Sequence, residues 1–265
     1  MRGKGIIALL TDFGVDDPYV GVVKGVIYSI NPQARIIDIT HSIEKFNVKQ
    51  GAFVLYHSVD YFPPGTVYLA CVDPGVGTER KCIIVKSKGG LFVGPDNGIL
   101  IPAAKKLGLE SVYEVKLPSR PCSYTFHARD VFAPVAAKLS LGEDPKRLGV
   151  ETGSYVNLSL PGFKRDGKKV VGEVVYIDSF GNVVTSIPGE EVFKSGVNYG
   201  NEVKVLISGR EVDVKFLKSY GWAKRGELIA LIDSFGMLEL GVNMGSAQKL
   251  LGCKPGDRVE VLFNS

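Results

Sequence analysis

The stretch GIIALLTDFGVDDPYVGVVKGVIYSI, residues 5–30, predicts the fold of the first half of the chain. It begins with a continuous apolar run that ends at polar Thr11 and Asp12, which is typical of a strand buried on both faces. A helix is predicted next, because Asp17 can cap it, Pro18 suits its first position, and apolar residues then recur at helical spacing. The stretch is therefore interpreted as a strand–turn–helix unit.

The same alternation continues along the first half of the chain. A strand is predicted at 35–40, a helix at 48–62 and a strand at 66–73, and two further strands follow at 81–87 and 91–94. Strands that alternate with helices favour a parallel sheet with helices on both faces. We therefore expect an α/β protein whose N-terminal sheet is mostly parallel.

The second half of the chain has a different pattern, with short strands separated by turns, and predicts a smaller antiparallel β domain. We expect an N-terminal α/β domain at 1–155, a polar linker at 156–169 and a C-terminal β domain at 170–265. The pentapeptide IDSFG occurs at 177–181 and again at 232–236, each time between two strands. Two related corners of the β domain are predicted from this identity.

The composition is that of an ordinary globular protein, with 45% hydrophobic and 23% charged residues in 265. A net charge of +4 without long runs of like charge gives no indication of a nucleic-acid partner. No apolar segment is long enough for a membrane span, and the four cysteines form no C-x-x-C pair. These features predict a cytoplasmic protein with reduced cysteines and neither a nucleic-acid nor a membrane partner.

Polar residues follow several predicted strands at the edge of the sheet where ligands bind in α/β proteins. They include Asp12, Asp16 and His41, and the loop DPGVGTER at 73–80. A phosphate site would need basic and backbone donors, whereas this set is rich in carboxylates and poor in lysine. The set favours ribose hydroxyls, a metal ion or a cationic ligand.

Individual acids and histidines differ in what their positions predict. We interpret Asp17 and Asp130 as helix caps or turn residues, since each precedes a predicted helix. His57 lies inside a helix and is interpreted as structural, and His41 as a turn residue. His127 precedes a helix, whose positive end lowers the pKa of a histidine and favours a neutral ring that can take a proton. No metal-binding spacing joins these residues.

Several motifs in order resemble one known family over nearly the whole chain. They are TDFGVDDPYVG (11–21), DPGVGTER (73–80), GPDNG (94–98), TFHARDVFAP (125–134), IDSFGN (177–182) and the later DSFG (233–236). Together they resemble the S-adenosylmethionine hydrolases (adenosine-forming), also called S-adenosylmethionine hydroxide adenosyltransferases, which are relatives of fluorinase and chlorinase. The resemblance implies an N-terminal α/β domain, a smaller C-terminal β domain, and a homotrimer with sites at subunit interfaces.

The resemblance also implies a catalytic set of Asp73, Arg80 and His127. Halogenating relatives replace the aspartate and the histidine, so the retained set implies water as the nucleophile. The family pattern further implies that Asp12 holds the ribose hydroxyls, that Asp16 lies near the methionine end, and that Phe46 walls the ribose pocket.

In the C-terminal half, the resemblance implies that Asp178 and Ser234 hold the amino and carboxylate groups of methionine and that Asn182 reads the adenine edge. One departure is Ala128, which follows the histidine where the family pattern has glycine and adds a methyl group beside the pocket.

The implied reaction is the hydrolysis of S-adenosyl-L-methionine to adenosine and L-methionine by in-line attack of water or hydroxide at ribose C5′. His127, or the His127–Asp73 pair, would act as the base. No metal and no cofactor are expected, since S-adenosylmethionine is the substrate. The alternatives are a halide-using enzyme of the same fold, a non-catalytic protein that binds S-adenosylmethionine or adenosine, and a metal-dependent hydrolase.

Overall fold

The structure, a computed structural model, describes residues 5–117 and 122–263. The chain divides into two compact units, one up to Leu160 and one from Pro161 onward. Within the described ranges, no helix has both the length and the apolar character needed to cross a membrane.

The first unit alternates strands and helices over most of its length. Its elements are β1 (Ile6–Thr11), α1 (Tyr19–Ile30), β2 (Arg35–Thr40), α2 (Val48–Ser58), β3 (Thr66–Cys71), β4 (Cys82–Ser87), β5 (Gly90–Pro95), α3 (Ile101–Lys106), β6 (Leu109–Val115), α4 (Ala133–Ser140), α5 (Pro145–Leu148) and β7 (Gly149–Glu151). A single turn of π-helix, Ala128–Phe132, leads directly into α4. Such turns are often found at functional sites.

The strands of the first unit form one mixed sheet, in the order β2-β1-β3-β5-β4-β6-β7 across the described residues. The pairs β1–β2, β1–β3 and β3–β5 are parallel, whereas the pairs β4–β5, β4–β6 and β6–β7 are antiparallel. The prediction of a mostly parallel sheet is therefore wrong for half of the pairings. The reason is local: only Lys88 and Gly89 separate β4 from β5, and a parallel pair needs a crossover of a dozen residues or more.

Two pairs of helices pack against the sheet of the first unit. α1 and α4 pack against each other and share one core cluster with alternate residues of β1 and β3, such as Ile7, Leu9 and Leu69. α2 and α3 form a second pair that also contacts the sheet. All six residues of β1 are buried, as its continuous apolar run predicts.

The second unit is built mainly from strands. Its elements are β8 (Lys164–Asp166), β9 (Lys169–Ile177), β10 (Val183–Pro188), α6 (Gly189–Lys194), β11 (Glu202–Ile207), β12 (Arg210–Phe216), β13 (Leu228–Ile232), β14 (Met237–Val242), α7 (Ala247–Leu251) and β15 (Arg258–Leu262). β8 lies within the predicted linker and pairs with β9.

Seven of the strands described in this unit close into a barrel, because the long β9 pairs with β15 through its first half and with β10 through its second. Closure leaves the barrel strands without a free edge. All pairings are antiparallel except β12–β13, which is parallel. The predicted antiparallel β domain is corrected in that respect, since residues 217–227 carry the chain back across the barrel between these two strands.

Candidate active site

A cavity of about 490 Å³ lies at the carboxyl ends of β1 and β3 in the first unit. Asp12, Asp73 and His127 line it, together with Phe46. β1 and β3 are parallel neighbours that end side by side, so the residues that follow them emerge at the same edge of the sheet. The fold thereby brings together segments that are distant in the sequence.

Asp73 and Arg80 form a bidentate ion pair across the loop that follows β3. Arg80 Nε donates to Asp73 Oδ1 at 2.9 Å, and Arg80 Nη2 donates to Asp73 Oδ2. Both side chains are buried, with 6% of Asp73 and 10% of Arg80 exposed. Turn bonds from Val76 N to the Asp73 carbonyl and from Thr78 N to the Gly75 carbonyl fold the loop. The glycine-rich loop thus returns Arg80 onto Asp73.

Arg80 uses all five of its N–H donors inside the protein. Besides the two bonds to Asp73, Nη2 lies 2.9 Å from His127 Nδ1, and Nη1 donates to the Lys81 carbonyl at 3.3 Å and to Cys82 Sγ at 3.0 Å. A guanidinium has five N–H groups, so none is left for a ligand. Arg80 is also absent from the described residues that line the cavity. Its geometry is that of a residue that holds Asp73 and His127 in place.

The contact with Arg80 determines the hydrogen position on His127. Because a guanidinium only donates, His127 Nδ1 must accept, and the hydrogen of the neutral ring lies on Nε2. Burial, followed by the nearby charge of Arg80, lowers the pKa of His127 below its usual 6.5. The ring is therefore neutral, as the sequence predicts, but its Nδ1 lone pair is engaged by Arg80 and Nε2 already carries a hydrogen.

Asp12 is held at the cavity by the segment that precedes α2. Phe46 N donates to Asp12 Oδ2 at 2.9 Å, and Lys45 Nζ donates to the Asp12 carbonyl at 2.5 Å. Phe46 has a φ of 67°, which is unusual for an aromatic residue, and its side chain is 68% exposed. Asp12 Oδ1 accepts no hydrogen bond from the described residues. That oxygen is available to a ligand.

An aromatic cluster that the sequence analysis did not assign to the site lines another side of the cavity. The rings of Phe13, Tyr19 and Phe126 pack edge to face, with centroids 5.9, 6.1 and 5.3 Å apart. Arg129 lies over the Phe126 ring at 5.3 Å, and Lys45 also lines the cavity. The aromatic residues just before His127 are the sequence signal that could have indicated this wall.

Two predicted helix caps have other positions. α1 begins at Tyr19, and Pro18 occupies its N-cap position without a side-chain bond, so Asp17 lies one residue too early to cap it. Asp17 lines the cavity instead. Asp130 lies within the π-helical turn, where its Oδ2 accepts from Ser123 N at 2.8 Å and its carboxylate pairs with Arg129. Asp16 is exposed and is not among the described residues that line the cavity.

The other two histidines have structural surroundings. His41 is buried just after β2, and its Nδ1 lies 2.8 Å from Thr11 Oγ1. His57 lies in α2 against the rings of Phe53 and Tyr56. Burial lowers the pKa of His57 to about 4, which keeps its ring neutral.

A second cavity, of about 460 Å³, lies in the second unit, and Asp178, Asn182 and Tyr220 line it. Asp178 Oδ1 accepts from Phe180 N and Asn182 N, both at 2.9 Å, and so closes the turn between β9 and β10. Asp178 Oδ2 accepts from Asn182 Nδ2 at 2.9 Å. The turn itself therefore orders the side chains that line this cavity.

The second IDSFG segment forms the same corner between β13 and β14. Asp233 Oδ1 accepts from Phe235 N and Met237 N at 2.9 and 2.8 Å, and Gly236 has a positive φ like Gly181 in the first copy. The predicted relation between the two corners is confirmed in their hydrogen bonding. Ser234, in this second corner, is not among the described residues that line the cavity.

Within residues 5–117 and 122–263, the side chains of histidine, cysteine, aspartate and glutamate form no group of three or more that could hold a metal ion. Cys71, Cys82 and Cys253 are buried and form no disulfide.

Sequence comparisons extend over nearly the entire chain. It is 38% identical to the (R)-S-adenosyl-L-methionine hydrolase of Methanocaldococcus jannaschii, covering 97% of this chain and 96% of that protein. It is 28% identical to the fluorinase of Nocardia brasiliensis, with 97% of each chain covered. The structure of an uncharacterized conserved protein from Thermotoga maritima superposes with a TM-score of 0.91 at 43% identity, covering 97% of this chain and all of that one.

The family models agree with these relatives. Residues 7–149 match the SAM hydroxide adenosyltransferase N-terminal domain, and residues 172–260 match the C-terminal domain of the same family. The two matches cover most of the chain in the order that the motifs predict. The chain therefore belongs to the SAM hydroxide adenosyltransferase family.

Proposed function

We propose that the protein hydrolyses S-adenosyl-L-methionine to adenosine and L-methionine. The observation that carries this proposal is the Asp73–Arg80–His127 cluster, with its buried ion pair, at the edge of a cavity that Asp12 also lines. Curated relatives at 37–39% identity bear the name of this hydrolase, whereas the fluorinases are more distant, at 27–28%.

The charge and chemistry of this cavity suit a sulfonium substrate. Asp12 and Asp17 bring carboxylates other than the paired Asp73 to the cavity, and carboxylates favour a cation. The hydroxyl groups of a ribose can donate hydrogen bonds to Asp12 Oδ1. When the C5′–S bond breaks, sulfur keeps the electron pair and leaves as a neutral thioether. The leaving group therefore needs no proton, and the protein must act mainly on water.

We infer that Asp73 and His127 hold this water between them. A carboxylate has about four lone-pair sites, and Arg80 uses two of those on Asp73, so Asp73 can still accept a hydrogen bond from water. His127 Nε2–H can donate to the water oxygen, which leaves a lone pair for C5′. As the O–C5′ bond forms, the water proton passes to Asp73. Alignment and exclusion of bulk water would supply most of the rate.

In this mechanism Arg80 and His127 have roles different from those that the motifs alone implied. Arg80 is a positioning residue, because all its donors are used within the protein. His127 is a hydrogen-bond donor rather than the base, because its hydrogen lies on Nε2.

The substrate-binding roles follow the family pattern. We propose that Asp12 binds the ribose hydroxyls and that Phe46 walls the ribose. Asp178 binds the methionine amino group through Oδ2, and Asn182 binds the adenine edge. Asp16 and Ser234 remain proposed contacts of the methionine end, supported by the motifs alone.

The reaction is proposed to need neither metal nor cofactor, because a guanidinium already balances the Asp73 carboxylate. We expect the purified protein to form adenosine and methionine in EDTA, with oxygen from labelled water in the adenosine 5′-hydroxyl. Liquid chromatography with mass spectrometry measures this directly, and Asp73→Asn serves as the inactive control. Formation of S-adenosylhomocysteine, dependence on a divalent ion, or chloride at C5′ would each contradict the proposal.

We also propose a homotrimer whose sites combine residues of neighbouring subunits. The proposed ligands of one substrate fall on two separate compact units. Large apolar side chains at both cavities are exposed in the single chain, among them Phe46, Phe180 and Met244. A ring of subunits with heterologous contacts would cover them.

Co-expression tests this assembly. Asp73→Asn and Asp178→Asn should each be inactive alone, and asparagine at 178 keeps the oxygen that accepts the turn bonds of Phe180 and Asn182. In every mixed ring of three subunits, one of the three interfaces would join an intact Asp73 to an intact Asp178, so activity should partly return. Two different affinity tags purify the mixed rings. Proven mixed oligomers without activity would show that each site lies within one chain.

A further inference from the structure

A chain of hydrogen bonds runs from the lining of the second cavity to Glu239, and the proposed mechanism gives no role to Tyr220 or Glu239. Asn182 Nδ2 donates to Asp178 Oδ2 at 2.9 Å and to Tyr220 Oη at 3.1 Å. Tyr220 Oη in turn donates to Glu239 Oε1 at 2.5 Å. The chain joins the corner after β9, the turn that follows β12, and the middle of β14.

The direction of each hydrogen bond in this chain is determined by the groups that form it. The phenol has a single hydrogen, which it donates to Glu239 Oε1, so Tyr220 Oη keeps lone pairs for Asn182. Asn182 then uses both hydrogens of Nδ2, one for Tyr220 and one for Asp178. Its Oδ1 accepts nothing from the described residues and is left for a ligand. Rotating the amide by 180° would bring Oδ1 against the Asp178 carboxylate.

Glu239 is an unusual residue for its position. It lies between Leu238 and Leu240 on β14 and is 4% exposed. Burial raises the pKa of Glu239 to about 7, although the bond from Tyr220 opposes this shift. Burying a carboxyl group in a barrel wall costs free energy that an apolar residue would not. The hydrogen bond with Tyr220 offsets part of this free-energy cost, and it is the interaction that a carboxyl group at this position provides.

We propose that Tyr220 and Glu239 are positioning residues that hold Asn182 with its carbonyl oxygen toward the cavity, so that the site selects a ligand with an amino group. This inference rests on the proposed function for the identity of the ligand, in which that group is the exocyclic amine of adenine. A base that carries a carbonyl at the same position, such as hypoxanthine, would meet Asn182 Oδ1 with a second acceptor. Rejection of that base follows from two unpaired acceptors facing each other.

Adenosine and inosine are the probes, because they differ in this amino group. In the parent protein, adenosine should inhibit turnover and bind in calorimetry more tightly than inosine. Tyr220→Phe and Glu239→Leu should reduce that preference by about tenfold, the value of one hydrogen bond. They should raise KM for S-adenosylmethionine while kcat changes little. Glu239→Gln keeps an acceptor for Tyr220 and should retain most of the preference.

Two controls separate positioning from folding. Glu239→Leu removes a buried carboxyl group, so its Tm should be no lower than that of the parent. Tyr199→Phe removes a hydroxyl from a tyrosine outside this cavity and should leave the preference unchanged. An unchanged adenosine preference in Tyr220→Phe and Glu239→Leu overturns the inference, even if hydrolysis is observed. A reduced preference in a protein that does not hydrolyse S-adenosylmethionine would support the inference and overturn the proposed function.

Discussion

Asp73→Asn and His127→Ala are each expected to lower kcat by about 10²-fold or more, the scale seen when proton-transfer groups are removed. Asparagine at 73 offers one oxygen where the carboxylate offers two, and its amide nitrogen would face the Arg80 guanidinium. Alanine at 127 removes the Nε2–H that we propose donates to water. Both interactions act mainly on the attacking water, so substrate affinity should change much less.

Single-turnover rates and calorimetric affinities measured on the same preparations test this expectation. Asp60→Asn is the matched control, because it removes the charge of an aspartate paired with Lys106 at 2.5 Å outside the cavity. That variant should turn over as the parent does. If affinity falls as far as the chemical rate in Asp73→Asn or His127→Ala, these residues bind the substrate rather than activate water.

The pH dependence of the reaction tests the assignment of His127 as a neutral ring with its hydrogen on Nε2. Since the pKa of His127 is lowered, its ring stays neutral as pH falls through 6.5, where an ordinary histidine gains its proton. The rate should therefore not decline at that pH on account of His127, and nitrogen NMR should show the Nε2–H tautomer. A neutral ring with its hydrogen on Nδ1 would contradict the contact with Arg80.

Gly77→Ala is expected to have the second large effect, although residue 77 carries no side chain. Gly77 has a φ of 76°, and an added Cβ would lie 2.1 Å from the carbonyl oxygen of Tyr124. The loop that carries Asp73 and Arg80 would have to move away from the segment that leads to His127. A displacement of about 1 Å at reacting groups can cost about 10²-fold in rate. The left-handed conformation adds about 1 kcal/mol of strain with alanine.

Gly75→Ala supplies the control within the same loop. An added Cβ at Gly75 meets Arg80 Cγ at 3.4 Å, which is ordinary van der Waals contact, so activity should change by no more than about twofold. Steady-state kinetics and Tm, measured for Gly77→Ala and Gly75→Ala, test whether the loss is confined to Gly77→Ala. Equal losses in both would show that the loop needs glycine for flexibility rather than for the close approach of Gly77 to Tyr124.

The residues alone determined much of the first unit. The apolar run of β1 and the helical spacing after it depend on neighbours in the sequence, and the structure has both elements at the predicted places. The repeated IDSFG corner was equally predictable, because its turn is closed by bonds between residues no more than four positions apart. The motifs also indicated the family without any knowledge of the fold.

Only the tertiary structure decided how the site groups are arranged. His127 and Arg80 are 47 positions apart, and their contact, which places the hydrogen on Nε2, follows from the packing of the π-helical turn beside the loop after β3. The same holds for the bond between Tyr220 and Glu239, which joins a turn to a strand 19 positions away in the sequence. Periodicity and turn chemistry report interactions between near neighbours, whereas the direction of a hydrogen bond depends on which groups long-range packing brings within about 3 Å.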